Sequence, residues 1–429
     1  MGSMVLAGGA STQSRGRRPL PPGAVRGETI AARGVTETVR FDFEDGHHER
    51  RELLSWMGGQ AGLLFGASSD LLQLPFDTFH LRETHGSYGH FAEYILADAL
   101  GEVFDGYLAS SDMACRFFQS GGEACAAAVR IARAATGRDA IATSGYHGAA
   151  TDFAHRPEIT GFTRADLELH RRFDFGHVDE MHLAVRGYLD DGRPAYSVPG
   201  HEYDLAVMRS SACIMVEIPA WDDEVDISTF LRACRSRADE YGIPLIIDDV
   251  VCGFRLALAG SCERYGVKAD MVVLGKAMSA TGCVSALVGR ADLVGRLGQD
   301  VFYSTTFGGA PGPCSVAAAM VRWLVKYREE VYGKTTIHQS INIGEYVLIE
   351  PGHLATIGRA LKDGLNARGV KCIGQPERSI VVFDTDDEWL TWCGRMIERG
   401  VMIHRPNFPT MAHTLADVEK TLRAVEAIR

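Results

Sequence analysis

Three unbroken apolar runs in the middle of the chain each end in a chemically potent side chain. Residues 213–216 run into Glu217, residues 245–247 into Asp248, and residues 271–274 into Gly275-Lys276. The intervals from 217 to 248 and from 248 to 276 are 31 and 28 residues, the length of successive strand-to-strand units. The first holds a helical pattern over 228–241, stopped by Gly242 and Pro244. Continuous apolar strands alternating with helices predict a parallel sheet covered on both faces. Ligands of such sheets bind beyond the carboxyl ends of the strands, so Glu217, Asp248 and Lys276 are expected to converge on one site.

Upstream, Ser120-Gly121-Gly122 opens a strongly helical run over 123–133 that stops at Gly137. Two glycines at a helix N-terminus let backbone N–H groups approach an anion, with the helix dipole in favour. A short strand at 141–144 then delivers Tyr146 and His147 between Gly145 and Gly148. Helical periodicity also marks 92–104 and a long stretch from 312 to 332. The tail reads as a small α/β unit: helix 354–367, strands 370–373 and 379–383, helix 388–399, strand 401–403, and a last helix capped by Thr414 with Asp417 in capping-box position. Residues 1–35 lack apolar periodicity and read as a flexible arm, and no repeat of 20–50 residues is visible.

Composition narrows the function classes. The 429 residues are 46% hydrophobic and 23% charged, enough for two or three globular domains. A net charge of −11 without any Lys/Arg block excludes nucleic acid as the expected partner. Ten cysteines with no C-x-x-C pair point to a reducing compartment. No apolar run approaches the roughly 18 residues of a spanning helix, so no membrane partner is expected and the expected location is cytoplasmic. Neither a P-loop nor a G-x-G-x-x-G follows a strand, H-E-x-x-H is missing, and no metal site is expected from the histidine spacing.

An anion cradle, an aromatic surface, a carboxylate and a lysine at strand ends suit pyridoxal 5′-phosphate (PLP). That cofactor needs a lysine for its Schiff base and an acidic partner for its pyridinium nitrogen. The carboxylate favours the protonated ring, and the lysine is freed to act as a general base once a substrate amine displaces it.

The same residues resemble the class III PLP-dependent aminotransferases, most closely the branch of the glutamate-1-semialdehyde aminomutases. Ser120-Gly-Gly-Glu-Ala124, Gly145-Tyr-His-Gly148, the run from Leu245 to Arg255, Leu274-Gly-Lys-Ala-Met278, Ser285-Ala-Leu-Val-Gly-Arg290, Thr305-Thr-Phe-Gly-Gly309 and Ala412-His-Thr414 carry the likeness. The resemblance implies an α/β fold of type I: a large domain with a mostly parallel seven-stranded sheet flanked by helices, and a small α/β domain from the N- and C-terminal segments. The expected division is an arm over 1–35, an N-terminal segment over 36–90 contributing to the small domain and substrate entrance, a PLP-binding domain over 91–332 and a C-terminal domain over 333–429.

The resemblance also implies roles. Lys276 forms the Schiff base and shuttles the proton, and Asp248 pairs with the ring nitrogen. Val250 and Tyr146 pack on opposite ring faces, with His147 beside them. Gly121 and Gly122 bind the phosphate through N–H groups, and Glu217 lies on the O3′ side. Thr306 reaches the phosphate of a neighbouring subunit, so a homodimer with shared sites is expected.

The chain departs from the family pattern in three places: Gly122 replaces a threonine, Asp249 a glutamate, and Ile218 separates Glu217 from Pro219. The segment before Ala412 is shorter than in the aminomutases and lacks their Gln-Phe-Glu. Arg405 is a candidate for a substrate carboxylate, and Glu83, His85 and Tyr88 for the substrate entrance. The activity expected is transfer of an amino group between an amino donor and a carbonyl acceptor through pyridoxamine phosphate. An aminomutase, or a PLP lyase or decarboxylase on the same fold, is the alternative.

Overall fold

The computed structural model describes residues 19–57, 61–67, 89–148, 151, 170–173, 181–183, 210–218, 226–279, 283–340, 344–403 and 405–428. The chain separates into two compact units, one combining Met1–Asp70 with Pro351–Arg429, the other spanning Leu71–Glu350. All ten cysteines are free thiols, and among the described residues no helix is long and apolar enough to cross a membrane.

In the unit formed by the chain ends, β1 (Ala24–Arg33), β2 (Thr36–Phe43) and β3 (His48–Ser55) form an antiparallel meander, and the short strand Val401–Met402 joins β3 in parallel. β1 corrects the reading of 1–35 as an arm. Its residues are almost all exposed, as befits an edge strand, so no apolar alternation betrays it. Pairing with β2 holds it instead. Trp56 anchors this unit: its ring stacks on His413 at 4.1 Å between centroids, and its Nε1 donates to Thr421 Oγ1 at 2.8 Å. His413 Nδ1 accepts from the Thr410 N–H at 3.1 Å, and its Nε2 faces the Ser55 carbonyl at 3.1 Å. A buried imidazole thus ties β3 to the C-terminal segment. The helices Asp386–Glu398 and Leu415–Ala427 both begin with capping boxes, Thr385 with Glu388 and Thr414 with Asp417.

The larger unit is built on an eight-stranded sheet. Its strands are β4 (Met113–Phe118), β5 (Ala140–Ser144), β6 (His170–Phe173), β7 (Met181–Leu183), β8 (Ser211–Glu217), β9 (Leu245–Asp248), β10 (Met271–Leu274) and β11 (Ser285–Arg290), in the order β4-β11-β10-β9-β8-β5-β6-β7. Only β11 and β7 run against the rest. The sheet is mostly parallel as expected, with eight strands rather than seven. β7 has only three residues, too few to leave a periodic signal. The inner strands β8, β9 and β10 are buried along their whole length, which explains their unbroken apolar sequences.

Helices α1 (Phe91–Phe104), α2 (Gly121–Thr136), α3 (Ile227–Tyr241) and α4 (Pro311–Lys326) belong to this unit. α2 buries Ala124, Ala127, Ala128, Val129, Ile131 and Ala132 and ends at left-handed Gly137. α3 is capped by Asp226, whose side chain accepts from Thr229 N, and stops at left-handed Gly242. The long helix expected over 312–332 is broken at Tyr327. Beyond it, Arg328 pairs with Glu263, and the Tyr332 hydroxyl donates to the Phe254 carbonyl at 2.9 Å. Those contacts turn the last helical residues onto the 254–263 segment. β12 (Gly333–Ser340) and β13 (Gly344–Pro351) then pair with each other, and the larger unit extends to Glu350 rather than ending at 332.

Candidate active site

Because β5, β8, β9 and β10 run in parallel, their carboxyl ends lie along one edge of the sheet. β4 runs the same way, so the helix start that follows it opens at that edge too. Ladder register sets Glu217 directly opposite Asp248, and Asp248 opposite Val273. Lys276 follows three residues later, half-buried, with a backbone φ of +44°. A non-glycine residue in the left-handed region is strained, and such strain gathers at functional positions. The Lys276 carbonyl accepts from Ser279 Oγ at 2.8 Å, which fixes the short turn it opens.

Asp248 is 2% exposed, and three donors converge on its carboxylate. The Val250 N–H donates to Oδ1 at 3.1 Å, His147 Nδ1 to Oδ2 at 2.8 Å, and the Cys125 thiol to Oδ2 at 3.5 Å. These contacts fix the orientation of the Asp248 carboxyl group at the sheet edge. Burial, together with the Asp248 charge, pushes the Cys125 thiol well above its ordinary pKa. The sulfur therefore keeps its proton and donates it. Cys125, His147 and Asp248 bring ligand atoms within 4.8 Å of one another, a set from which a metal centre could be built. In the structure the three are linked as hydrogen-bond partners, with Asp248 Oδ2 facing both His147 Nδ1 and the Cys125 thiol. Histidine spacing could not reveal this group, as its members come from three separate elements.

Glu217, also buried, accepts the Tyr146 N–H on Oε2 at 2.9 Å. Gly145 makes that approach possible: at φ +109°, a Cβ there would lie 2.5 Å from Glu217 Cβ. The loop continues to Gly148, where a Cβ would lie 2.5 Å from Gly122 Cα. Close packing of two glycines therefore sets the 145–148 loop against the start of α2. Ser120 caps that helix, its Oγ accepting from Glu123 N at 3.3 Å, while Glu123 Oε2 accepts from Gln119 N at 2.9 Å. The first-turn N–H groups of Gly121 and Gly122 have no acceptor within the helix and are suited to an anion. A Cβ on Gly121 would lie 2.6 Å from Val250 Cγ2, and one on Gly275 would lie 3.4 Å from Val250 Cγ1 and 2.8 Å from Ser285 Oγ. Val250 is thus wedged between the anion cradle and the residue preceding Lys276.

The model of the family "Aminotransferase class-III" matches residues 223–339, the stretch that carries Asp248, Val250, Lys276 and Thr306. The chain is 26% identical over 341 residues to an aminopentol aminotransferase of Sphingopyxis macrogoltabida, covering 76% of this chain and 71% of that protein. It is 27% identical over 344 residues to a glutamate-1-semialdehyde 2,1-aminomutase of Methanopyrus kandleri, covering 72% of each. Among solved structures, the PLP-bound FumI protein of Sphingopyxis sp. MTA144 superposes with a TM-score of 0.73 at 22% identity, covering 96% of this chain and 89% of that one. Over residues 223–339 the chain matches the class III aminotransferase family.

Of the residues singled out in the sequence, Gly121, Gly122, Tyr146, His147, Glu217, Asp248, Val250 and Lys276 all lie at or just beyond the strand ends along one sheet edge. The Tyr146 side chain is 42% exposed there. Thr306, also exposed, begins the turn 306–309, whose Gly309 packs against Glu93 of α1. Arg405 lies in the other unit and is engaged within it. Its Nε donates to the Val381 carbonyl and its Nη1 to Asp386, each at 3.0 Å, and its guanidinium lies 4.8 Å from the centre of the Trp389 ring. Glu83, His85 and Tyr88 lie outside the described residues. Sequence reasoning missed Cys125, although it sits four residues after Gly121 and so on the same face of α2.

Proposed function

We propose that this chain is a PLP-dependent aminotransferase that moves an amino group from an amino donor to a carbonyl acceptor. The observation that carries the reading is the arrangement of a carboxylate with three donors, a strained lysine and a two-glycine helix start along one sheet edge. The fit to PLP can be judged group by group. The Gly121 and Gly122 N–H groups suit its phosphate, and the oriented Asp248 carboxylate suits a cationic ring nitrogen. The Val250 wedge offers an apolar wall for one ring face and Tyr146 an aromatic one for the other. When bound, PLP supplies an electron sink for the charge left at the donor's α-carbon as its proton departs.

The chain's own residues do the rest. Lys276 would hold the cofactor, and its amine, once freed, would carry the proton away from the donor's α-carbon. Asp248 would pair with the ring nitrogen, with His147 and Cys125 holding its carboxyl group in place. Glu217, anchored by the Tyr146 N–H, would be placed to meet the ring's hydroxyl. The test is a single-turnover incubation of the PLP-loaded protein with a panel of amino donors and no acceptor. One equivalent of ketone or aldehyde per site, with turnover restored by adding a carbonyl acceptor, is the expected result. An amino group that only changes position within the donor would establish the mutase alternative instead, and release of carbon dioxide the lyase.

The working form of this reading is a homodimer with Thr306 serving the neighbouring site. Phe302 is 84% exposed, and Phe91, Tyr94 and Phe307 are exposed as well. Contact between Glu93 and Gly309 brings the start of α1 next to the 306–309 turn, so part of this apolar surface is continuous. Sedimentation equilibrium is expected to give twice the chain mass, and a monomer at working concentration would refute the shared site.

A further inference from the structure

Asp248 and Asp249 are consecutive acids at the end of β9, both buried, and the reading above uses only the first. The second is turned to a different task. Asp249 Oδ2 accepts the Ser261 N–H at 2.7 Å and Oδ1 accepts the Ser261 hydroxyl at 2.5 Å. Its backbone is equally committed: the N–H donates to the Val273 carbonyl at 2.9 Å, and the carbonyl accepts from Gly253 N at 2.7 Å. The clamp needs Gly260, which sits at φ +59° with no room for a side chain, since a Cβ would overlap the Asp249 carboxylate. The segment closed in this way, 250–260, includes Phe254 at φ +57°, a strained position for a buried aromatic residue. Strain of this kind persists only where the surroundings over-determine the backbone.

Val250 stands at the near end of the clamped loop. Its N–H binds Asp248, and its γ-carbons fill the gap between Gly121 and Gly275. We propose that Asp249, through its two hydrogen bonds to Ser261, is a positioning residue that fixes Val250 as the wall between the Gly121 cradle and Lys276. This inference rests on the PLP reading, because the wall matters only if a flat ring lies against it. Asparagine can keep the clamp, accepting the Ser261 N–H on its oxygen and donating to the Ser261 hydroxyl from its nitrogen. Alanine cannot.

The test measures PLP binding to the apo-protein by titration, together with the visible absorption and circular dichroism of the bound form, for D249A, D249N, S261A and V250A. D249A is expected to weaken PLP binding by about tenfold and to alter the visible dichroism, while D249N stays within about threefold of the parent. If Asp249 acts through Val250, the losses in D249A and V250A do not multiply in the double variant. Should D249A fail to fold, S261A and its combination with V250A supply the same cycle from the other end of the clamp. Parent-like binding and dichroism in D249A or S261A, or multiplying losses, would overturn the proposal. A parent protein that binds no PLP would instead overturn the cofactor reading.

Discussion

Replacing Lys276 with alanine is expected to lower kcat by about 10⁴-fold or more while leaving the fold in place. The residue stands at φ +44° beyond β10, and alanine meets the same backbone strain as lysine, so the substitution removes the amine without a new conformational cost. Its turn is held by Ser279 Oγ on the residue's carbonyl, a contact that does not involve the amine. In the proposed reaction, what disappears is the group that would carry the proton at the donor's α-carbon. Small primary amines added to K276A should restore part of the rate in proportion to their concentration, which only a missing base explains. Activity within about tenfold of the parent would remove Lys276 from the mechanism.

Asp248→Asn is expected to lower kcat by about 10³-fold while PLP still binds. All three neighbours of this carboxylate are donors: Val250 N–H on one oxygen, His147 Nδ1 and the Cys125 thiol on the other. With its oxygen toward the Val250 N–H, an amide presents its NH₂ to His147 and Cys125, and the His147 ring can accept it by exchanging its tautomer. In the proposed reaction, the ring nitrogen then loses the group that would keep it protonated, and proton removal at the donor's α-carbon is expected to slow. The Gly121 and Gly122 cradle is untouched, so cofactor affinity falls much less than turnover. Rapid-quench measurement of deuterium loss from an α-deuterated donor isolates that step. An unchanged rate of deuterium loss would show that Asp248 does not act on it.

Much of this was legible in the chain because burial on both faces leaves an unbroken apolar signature. β8, β9 and β10 announced themselves in that way, and the residues ending them had only one sheet edge to go to. Gly137 and Gly242 marked helix ends because left-handed caps strongly favour glycine. Other features depend on partners remote in sequence. β1 is nearly all exposed, and the break at Tyr327 follows from contacts with Glu263 and Phe254. Cys125 meets Asp248 across 123 residues of chain, and its proton stays on sulfur because of that neighbour and of burial. The clamp between Asp249 and Ser261 is closer in sequence yet hidden, since nothing in a second strand-end acid says that it turns away from the first. Arg405 looked like an anion-binding residue from its type alone, and its Val381, Asp386 and Trp389 partners become visible only in the folded unit.

The central claim is that Lys276 is the residue to which the cofactor is joined. Incubating the protein with PLP, reducing the covalent link with borohydride, and locating the modified peptide by mass spectrometry tests it directly. The account predicts a phosphopyridoxyl group on Lys276 in near-stoichiometric yield, displaced when an amino donor is added before reduction. Modification of another lysine, or no modification at all, would contradict it.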